Sequence, residues 1–175
     1  MRTIRRSASP LDHLSEAARA FFARRALELT GLSLVALAGG LTVALATWSV
    51  ADPSLNHATD APVRNLLGSP GAIAADLAMQ LFGLGSLALV VPLALWGWRL
   101  LRRRSLGRLP LRLALWVVGA GASTAVASAL PPTARWPLPT GLGGVTGDAL
   151  LRAAKALTGL TGGAGSTLLA FAFAG

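Results

Sequence analysis

The 175-residue chain contains no cysteine, which excludes a disulfide framework and a cysteine-based metal site and leaves the redox compartment open. Charge is scarce as well: 13% of residues are Asp, Glu, Lys or Arg, against about a quarter in an ordinary globular domain. Lysine is nearly missing, a single Lys155 against fifteen arginines, and the net charge is +9. The two histidines, His13 and His57, stand far apart and without carboxylate or cysteine company, so no metal-ligand set is legible. The glycine-rich run GLTGGAGSTL, Gly159 to Leu168, lacks the Gly-Lys-Ser/Thr of a phosphate-binding loop and follows no strand. No catalytic, cofactor-binding or metal-binding residue is therefore expected.

What the chain does have is long hydrocarbon. Ala26 to Trp48 is an apolar block whose one charge is Glu28 at its arginine-flanked end. At 1.5 Å per residue, a helical run of about twenty spans the hydrocarbon core of a bilayer. A further block, Leu113 to Leu130, is just long enough and is closed by Pro131 and Pro132. Between them Ile73 to Trp98 is longer than a crossing needs, so it is either one tilted helix over 73–98 or a break followed by a crossing over 84–101. The final ten residues, Ser166 to Gly175, cannot span alone. The chain is read as ending inside a fourth crossing that starts at 163.

Arginine placement orients these crossings. Arg2, Arg5, Arg6, Arg19, Arg24 and Arg25 precede the first; Arg99, Arg102, Arg103, Arg104, Arg108 and Arg112 crowd the connection between the second and third. The other two connections hold only Arg64, Arg135, Arg152 and Lys155. The positive-inside rule then puts the leader 1–25 and the loop 102–112 in the cytoplasm, and the loops 49–83 and 131–162 outside it. Trp96 and Trp98 mark the headgroup level, with Trp48, Trp116 and Trp136 also near interfaces. A basic cluster beside a membrane meets this topology rule and anionic lipid before it suggests nucleic acid. A cleavable signal peptide, with Ala44-Leu45-Ala46 or Ser49-Val50-Ala51 as its cleavage site, does not fit the long charged leader and the long apolar run. Within the leader, Ser9-Pro10-Leu11-Asp12 has the pattern of a capping box, and predicts a short amphipathic helix ahead of the first crossing.

The chain also repeats itself. Offset by 76 positions, Leu66, Gly68, Gly71, Ala78, Leu81, Gly83 and Leu84 meet the same residue types at Leu142, Gly144, Gly147, Ala154, Leu157, Gly159 and Leu160. Such a match predicts a duplicated helical hairpin. In the second copy Asp148, Arg152 and Lys155 share one helical face, so 147–158 is expected as an amphipathic helix lying in the interface, and 71–82 as its counterpart. The expected fold class is all-α: a polytopic transmembrane helical bundle built from two helical hairpins, with short interfacial helices.

Two sets of residues could carry more than threading. The small-xxx-small pairs Gly119 with Ser123 and Gly159 with Gly163 are candidate helix-packing sites. Asp76, if it lies at membrane depth, is a candidate for a proton relay; in the water layer it is an ordinary interfacial residue, the reading preferred here.

Four stretches, SVADPSLNHA, NLLGSPGAIAADLAMQLFGLGSLAL, LALWGWRLLRRR and LPTGLGGVTGDALL, occur in an order and spacing that resembles the amino-terminal four-helix membrane domain of the FtsK/SpoIIIE family of bacterial DNA translocases. The resemblance implies a multi-pass anchor in the inner membrane, both ends cytoplasmic, which places a chromosome-pumping machine at the division septum. It implies contacts with the lipid bilayer, with further copies of itself and with other division proteins. In the family, ATP, magnesium and DNA are handled by a motor that follows the anchor, so none of them is assigned to these residues. Two other readings remain open: a small transporter or channel subunit, and a membrane adaptor of the division machinery that lacks a motor.

Overall fold

The computed structural model of the chain describes residues 10–134 and 136–158. Its elements are all helical: α1 (Pro10–Ala46), α2 (Gly68–Phe82), a 3-10 turn (Gly83–Ser86), α3 (Leu87–Leu101), α4 (Leu109–Ala129) and α5 (Gly144–Thr158). Three stretches, Glu16–Ala46, Gly68–Leu101 and Leu109–Ala129, are long and apolar enough to cross a membrane. α3 lies between α1 and α4, and α2 and α5 pack on each other at the end remote from the arginines. Large apolar side chains cover the outside: Leu29, Leu32, Leu37, Val91, Leu95, Leu115, Val117 and Val118 are all more than half exposed. That surface is incompatible with water and suited to lipid.

The short leader helix expected before the first crossing is not a separate element. α1 runs unbroken from Pro10 to Ala46, 37 residues and about 55 Å. Between Ser15 and Leu29 the chain holds mostly Ala, Leu, Arg and Glu, with no glycine or proline to end a helix, so the leader and the crossing propagate as one. Glu28, the one carboxylate in the first apolar block, is neutralised there by Arg25 at 2.7 Å and by Arg103 at 3.0 Å.

The long middle block is divided. Gly83, at φ +54°, ends α2, and four residues of 3-10 helix follow before α3. Fifteen residues of α helix plus that turn reach about 30 Å, one hydrocarbon thickness. α4 begins at Leu109, four residues ahead of the expected Leu113, because Pro110 sits in its first turn, where a missing N–H costs nothing. Arg112 thus lies on α4, and the loop between α3 and α4 is 102–108.

Trp116, expected near an interface, also reaches from α4 onto α3. Pro92 cannot donate to the carbonyl of Ala88, four residues before it. The Trp116 indole N–H, reaching across from α4, donates to that carbonyl at 3.0 Å. Trp96, one turn after the proline, meets the Trp116 ring edge-on with centroids 5.4 Å apart. A proline inside a crossing is tolerated when a neighbouring helix satisfies the freed acceptor, and here one tryptophan does so.

Candidate functional site

Two regions tie the helices together, one at each end of the bundle. At the arginine end, α3 closes in a Schellman motif: the N–H of Arg103 donates to Leu100 O at 2.9 Å and that of Arg104 to Arg99 O at 2.8 Å. The left-handed position of this motif usually holds glycine, yet Arg103 occupies it at φ +54°. Its guanidinium, in return, reaches Glu28 on α1. Arg102 turns back over the Trp98 ring, 4.6 Å from its centroid, and both are exposed. Cation and aromatic surface are presented together there. Of the six arginines predicted to mark this side, Arg99, Arg102, Arg103, Arg104 and Arg108 cluster on the end of α3 and its loop, with Arg112 one turn into α4.

Below this end, α1 and α3 touch backbone to backbone. A Cβ on Gly31 would meet Gly97 O at 2.9 Å, and one on Gly97 would meet Gly31 O at 2.7 Å, so each glycine makes room for the other. Neither was among the expected packing positions. The expected pair Gly119 and Ser123 faces outward: a Cβ on Gly119 would meet nothing within 4 Å, and Ser123 is exposed, its hydroxyl donating to Gly119 O at 2.7 Å. The same-helix spacing missed Gly31 and Gly97 because the close approach joins one glycine from each of two helices. Gly159 and Gly163 lie outside the described residues.

At the opposite end, Thr124 of α4 is fully buried and its hydroxyl is satisfied within its own helix by Gly121 O at 2.7 Å. Three glycines press on it. A Cβ on Gly85 would meet the Thr124 side chain at 2.5 Å, and Cβ atoms on Gly143 and Gly147 would collide with Thr124 O. The 3-10 turn and the start of α5 therefore converge on one turn of α4. The 3-10 turn is also tied to the segment before α5, Leu84 N donating to Leu142 O at 2.8 Å.

Carboxylates lock the approaches to α2 and α5. Asp52, only 3% exposed, accepts from Arg64 N at 2.9 Å and Asn65 N at 3.0 Å. Asn65 in turn donates from Nδ2 to Ala44 O at 2.8 Å, an otherwise orphaned carbonyl of the last turn of α1. In the second hairpin, Asp148 accepts from Gly141 N at 3.0 Å and from the Ser128 hydroxyl at 2.6 Å. Asp148 thus turns into the bundle and leaves the polar face it was expected to share with Arg152 and Lys155. A half-buried carboxylate is stabilised by the two donors there more than by a long, flexible cation on the helix surface. Asp52 was invisible to sequence reasoning, since its donors follow 12 and 13 residues later with no local pattern.

Asp76 lies on α2, half-buried, and accepts from Gln80 Nε2 at 2.7 Å; Gln80 Oε1 accepts from Asn56 Nδ2 at 2.7 Å. Gln80 therefore ties α2 to the preceding loop, and the aspartate one turn earlier on α2 holds its amide. Among the described residues no cluster of three or more His, Cys, Asp or Glu could hold a metal ion.

Residues 23–175 match the family described as the 4TM region of DNA translocase FtsK/SpoIIIE. The chain is 49% identical over 162 residues to a DNA translocase FtsK of Bradyrhizobium diazoefficiens, covering 93% of this chain and 20% of that protein. It is 51% identical over 129 residues to one of Brucella suis, covering 74% and 15%, and 34% identical over 137 residues to one of Caulobacter vibrioides, covering 74% and 16%. The chain thus spans about a fifth or less of the length of these relatives. No solved structure matches it.

Proposed function

This chain belongs to the FtsK/SpoIIIE family of DNA translocases, as its 4TM region, and we propose that it is the part that holds such a translocase in the bacterial inner membrane, at the division septum. The observation that carries this reading is the coincidence of that match with three helices long and apolar enough to cross a bilayer. The role is positional. The chain would fix where a cytoplasmic motor acts in cell division and chromosome segregation, and ATP, magnesium and DNA would be handled by the motor. No residue of this chain is given a catalytic part.

In the threading we propose, the amino terminus and the loop 102–108 face the cytoplasm. α3 with its 3-10 turn crosses, while α2 and α5 lie at the outer surface with their glycine junction. The arginine end supports it: six arginines, an exposed Trp98 and the stacked Arg102 suit a headgroup layer of anionic lipid. The tie from Asp76 through Gln80 to Asn56 gives that carboxylate a structural use, which favours the anchor over a transporter.

A fluorescent fusion of the full-length protein tests placement; a band at mid-cell during constriction is expected, and a uniform membrane signal throughout division would remove the septal role. Threading is tested with Arg103→Cys in the otherwise cysteine-free chain. An impermeant thiol reagent should label it in opened vesicles only. Labelling in intact cells would overturn the orientation.

A further inference from the structure

Glu28 holds two arginines at the rim of an apolar cleft. On α1, Arg25, Glu28, Leu29 and Leu32 follow at three- and four-residue spacing and so share one face. With Leu101 at the end of α3 they line an open cleft of about 360 Å³ between the two helices. The close approach of Gly31 to Gly97 shapes it. A Cβ on Gly31 would also meet Leu101 N at 2.9 Å, so the last turn of α3 lies flush on α1, and Arg103 lands beside a carboxylate 75 residues earlier in the chain.

The cleft changes character along the helix axis. Arg25 stands two turns, about 10 Å, from Leu32. The floor is hydrocarbon, with Leu29 64% and Leu32 56% exposed. The rim is cationic: the Arg25 and Arg103 side chains are 61% and 71% exposed, and each commits one nitrogen to Glu28. A guanidinium has more N–H donors than that, so donors remain on both. Two positive charges meet one negative, and among the described residues no other carboxylate forms an ion pair. Arg103 moreover sits at φ +54°, where a side chain is strained and glycine is not. An ion pair with so exposed a cation offsets little of that strain, which points to a further use of its guanidinium.

We propose that this cleft binds an anionic phospholipid, its phosphate on the remaining N–H groups of Arg25 and Arg103 and an acyl chain laid over Leu29, Leu32 and Leu101. The occupant is a lipid because rim and floor call for opposite chemistries in one molecule. Phosphate accepts from paired guanidiniums, and the leucines below them suit a hydrocarbon chain. The lipid is anionic because the two arginines exceed Glu28 by one charge, which favours a net negative headgroup over a zwitterionic one. The wider basic layer attracts such lipids without fixing them; the cleft selects one and holds it against the seam of α1 and α3. The inference rests on the chain spanning a bilayer with its arginine end at the surface, and needs neither the septal role nor the side on which that end lies.

The test is native mass spectrometry of the full chain released from micelles that contain equal amounts of phosphatidylglycerol and phosphatidylcholine. One phosphatidylglycerol per copy should be retained, about fivefold over phosphatidylcholine, the effect of one net charge near a surface. Arg25→Gln, at an exposed helix position, cancels the excess charge and should bring the two lipids to equal retention. Leu32→Trp fills the cleft, keeps both arginines and should remove the retained lipid of either kind. Arg108→Gln takes away an exposed arginine that does not line the cleft and should change nothing. Equal retention of both lipids by the native chain, or a fall in Arg108→Gln as large as in Arg25→Gln, would overturn the site in favour of a diffuse basic layer. Undiminished retention in Leu32→Trp, or inorganic phosphate held as tightly as the lipid, would overturn it as well. Resistance to alkaline carbonate extraction, which reads membrane insertion alone, separates failure of this site from failure of the membrane reading.

Discussion

Trp116 and Pro92 make a thermodynamic cycle that isolates one hydrogen bond inside the bundle. The perturbation is Trp116→Phe, which keeps an aromatic ring and removes the N–H that donates to Ala88 O at 3.0 Å. In the native background the Ala88 carbonyl then has no donor, because residue 92 is proline. A buried acceptor stranded in this way costs about 1–3 kcal/mol in soluble proteins, and interhelical bonds in membranes average about 0.6 and reach about 1.7 kcal/mol. In a Pro92→Ala background the helix supplies its own N–H to Ala88, so the indole donor is redundant. The edge-on contact with Trp96, centroids 5.4 Å apart, is weakened by Trp116→Phe in both backgrounds and cancels. The coupling should therefore be about 1 kcal/mol, or about fivefold in the unfolding constant. The assay is unfolding of the four variants in mixed micelles, followed by far-ultraviolet circular dichroism. An equal cost of Trp116→Phe with and without Pro92 would refute the assignment of the indole to the freed carbonyl.

Other substitutions probe the remaining contacts. Gly97→Leu should force α1 and α3 apart at Gly31 and destabilise the bundle by about 1–3 kcal/mol, read by the same unfolding assay, whereas Gly119→Leu should leave stability within about 0.5 kcal/mol. Asp52→Ala strands the N–H groups of Arg64 and Asn65 and should cost about 1–3 kcal/mol; protease cleavage within the loop 49–67 should rise in proportion. Arg103→Ala keeps the left-handed strain and loses the link to Glu28, while Arg103→Gly loses the link and relieves the strain. The glycine variant should therefore be more stable than the alanine variant by about 1 kcal/mol in thermal unfolding.

The crossings were legible in the sequence because a bilayer sorts residues along one axis, and chain order samples that axis directly. Ala26 to Trp48 with its flanking arginines, and the sudden change from Trp98 to Arg102, needed no knowledge of neighbours. The break at Gly83 and the matched starts of α2 and α5 could be anticipated as well, since glycine at a left-handed φ is a local requirement and a 76-residue offset is a property of the string. What escaped is whatever depends on a partner far away in the chain. Nothing near Trp116 says that its indole answers a proline 24 residues earlier, nothing near Gly31 names Gly97, and Asp52 carries no mark of the two N–H groups it will hold.

By itself, then, the order of residues determined that this chain is helical and apolar enough to thread a membrane, because hydrophobicity and helix propensity act residue by residue. Only the tertiary structure decided which surfaces meet. Backbone approach at Gly31 and Gly97 and convergence on Thr124 exist only once several segments occupy the same few ångströms, and complementarity of that kind is a property of pairs of surfaces.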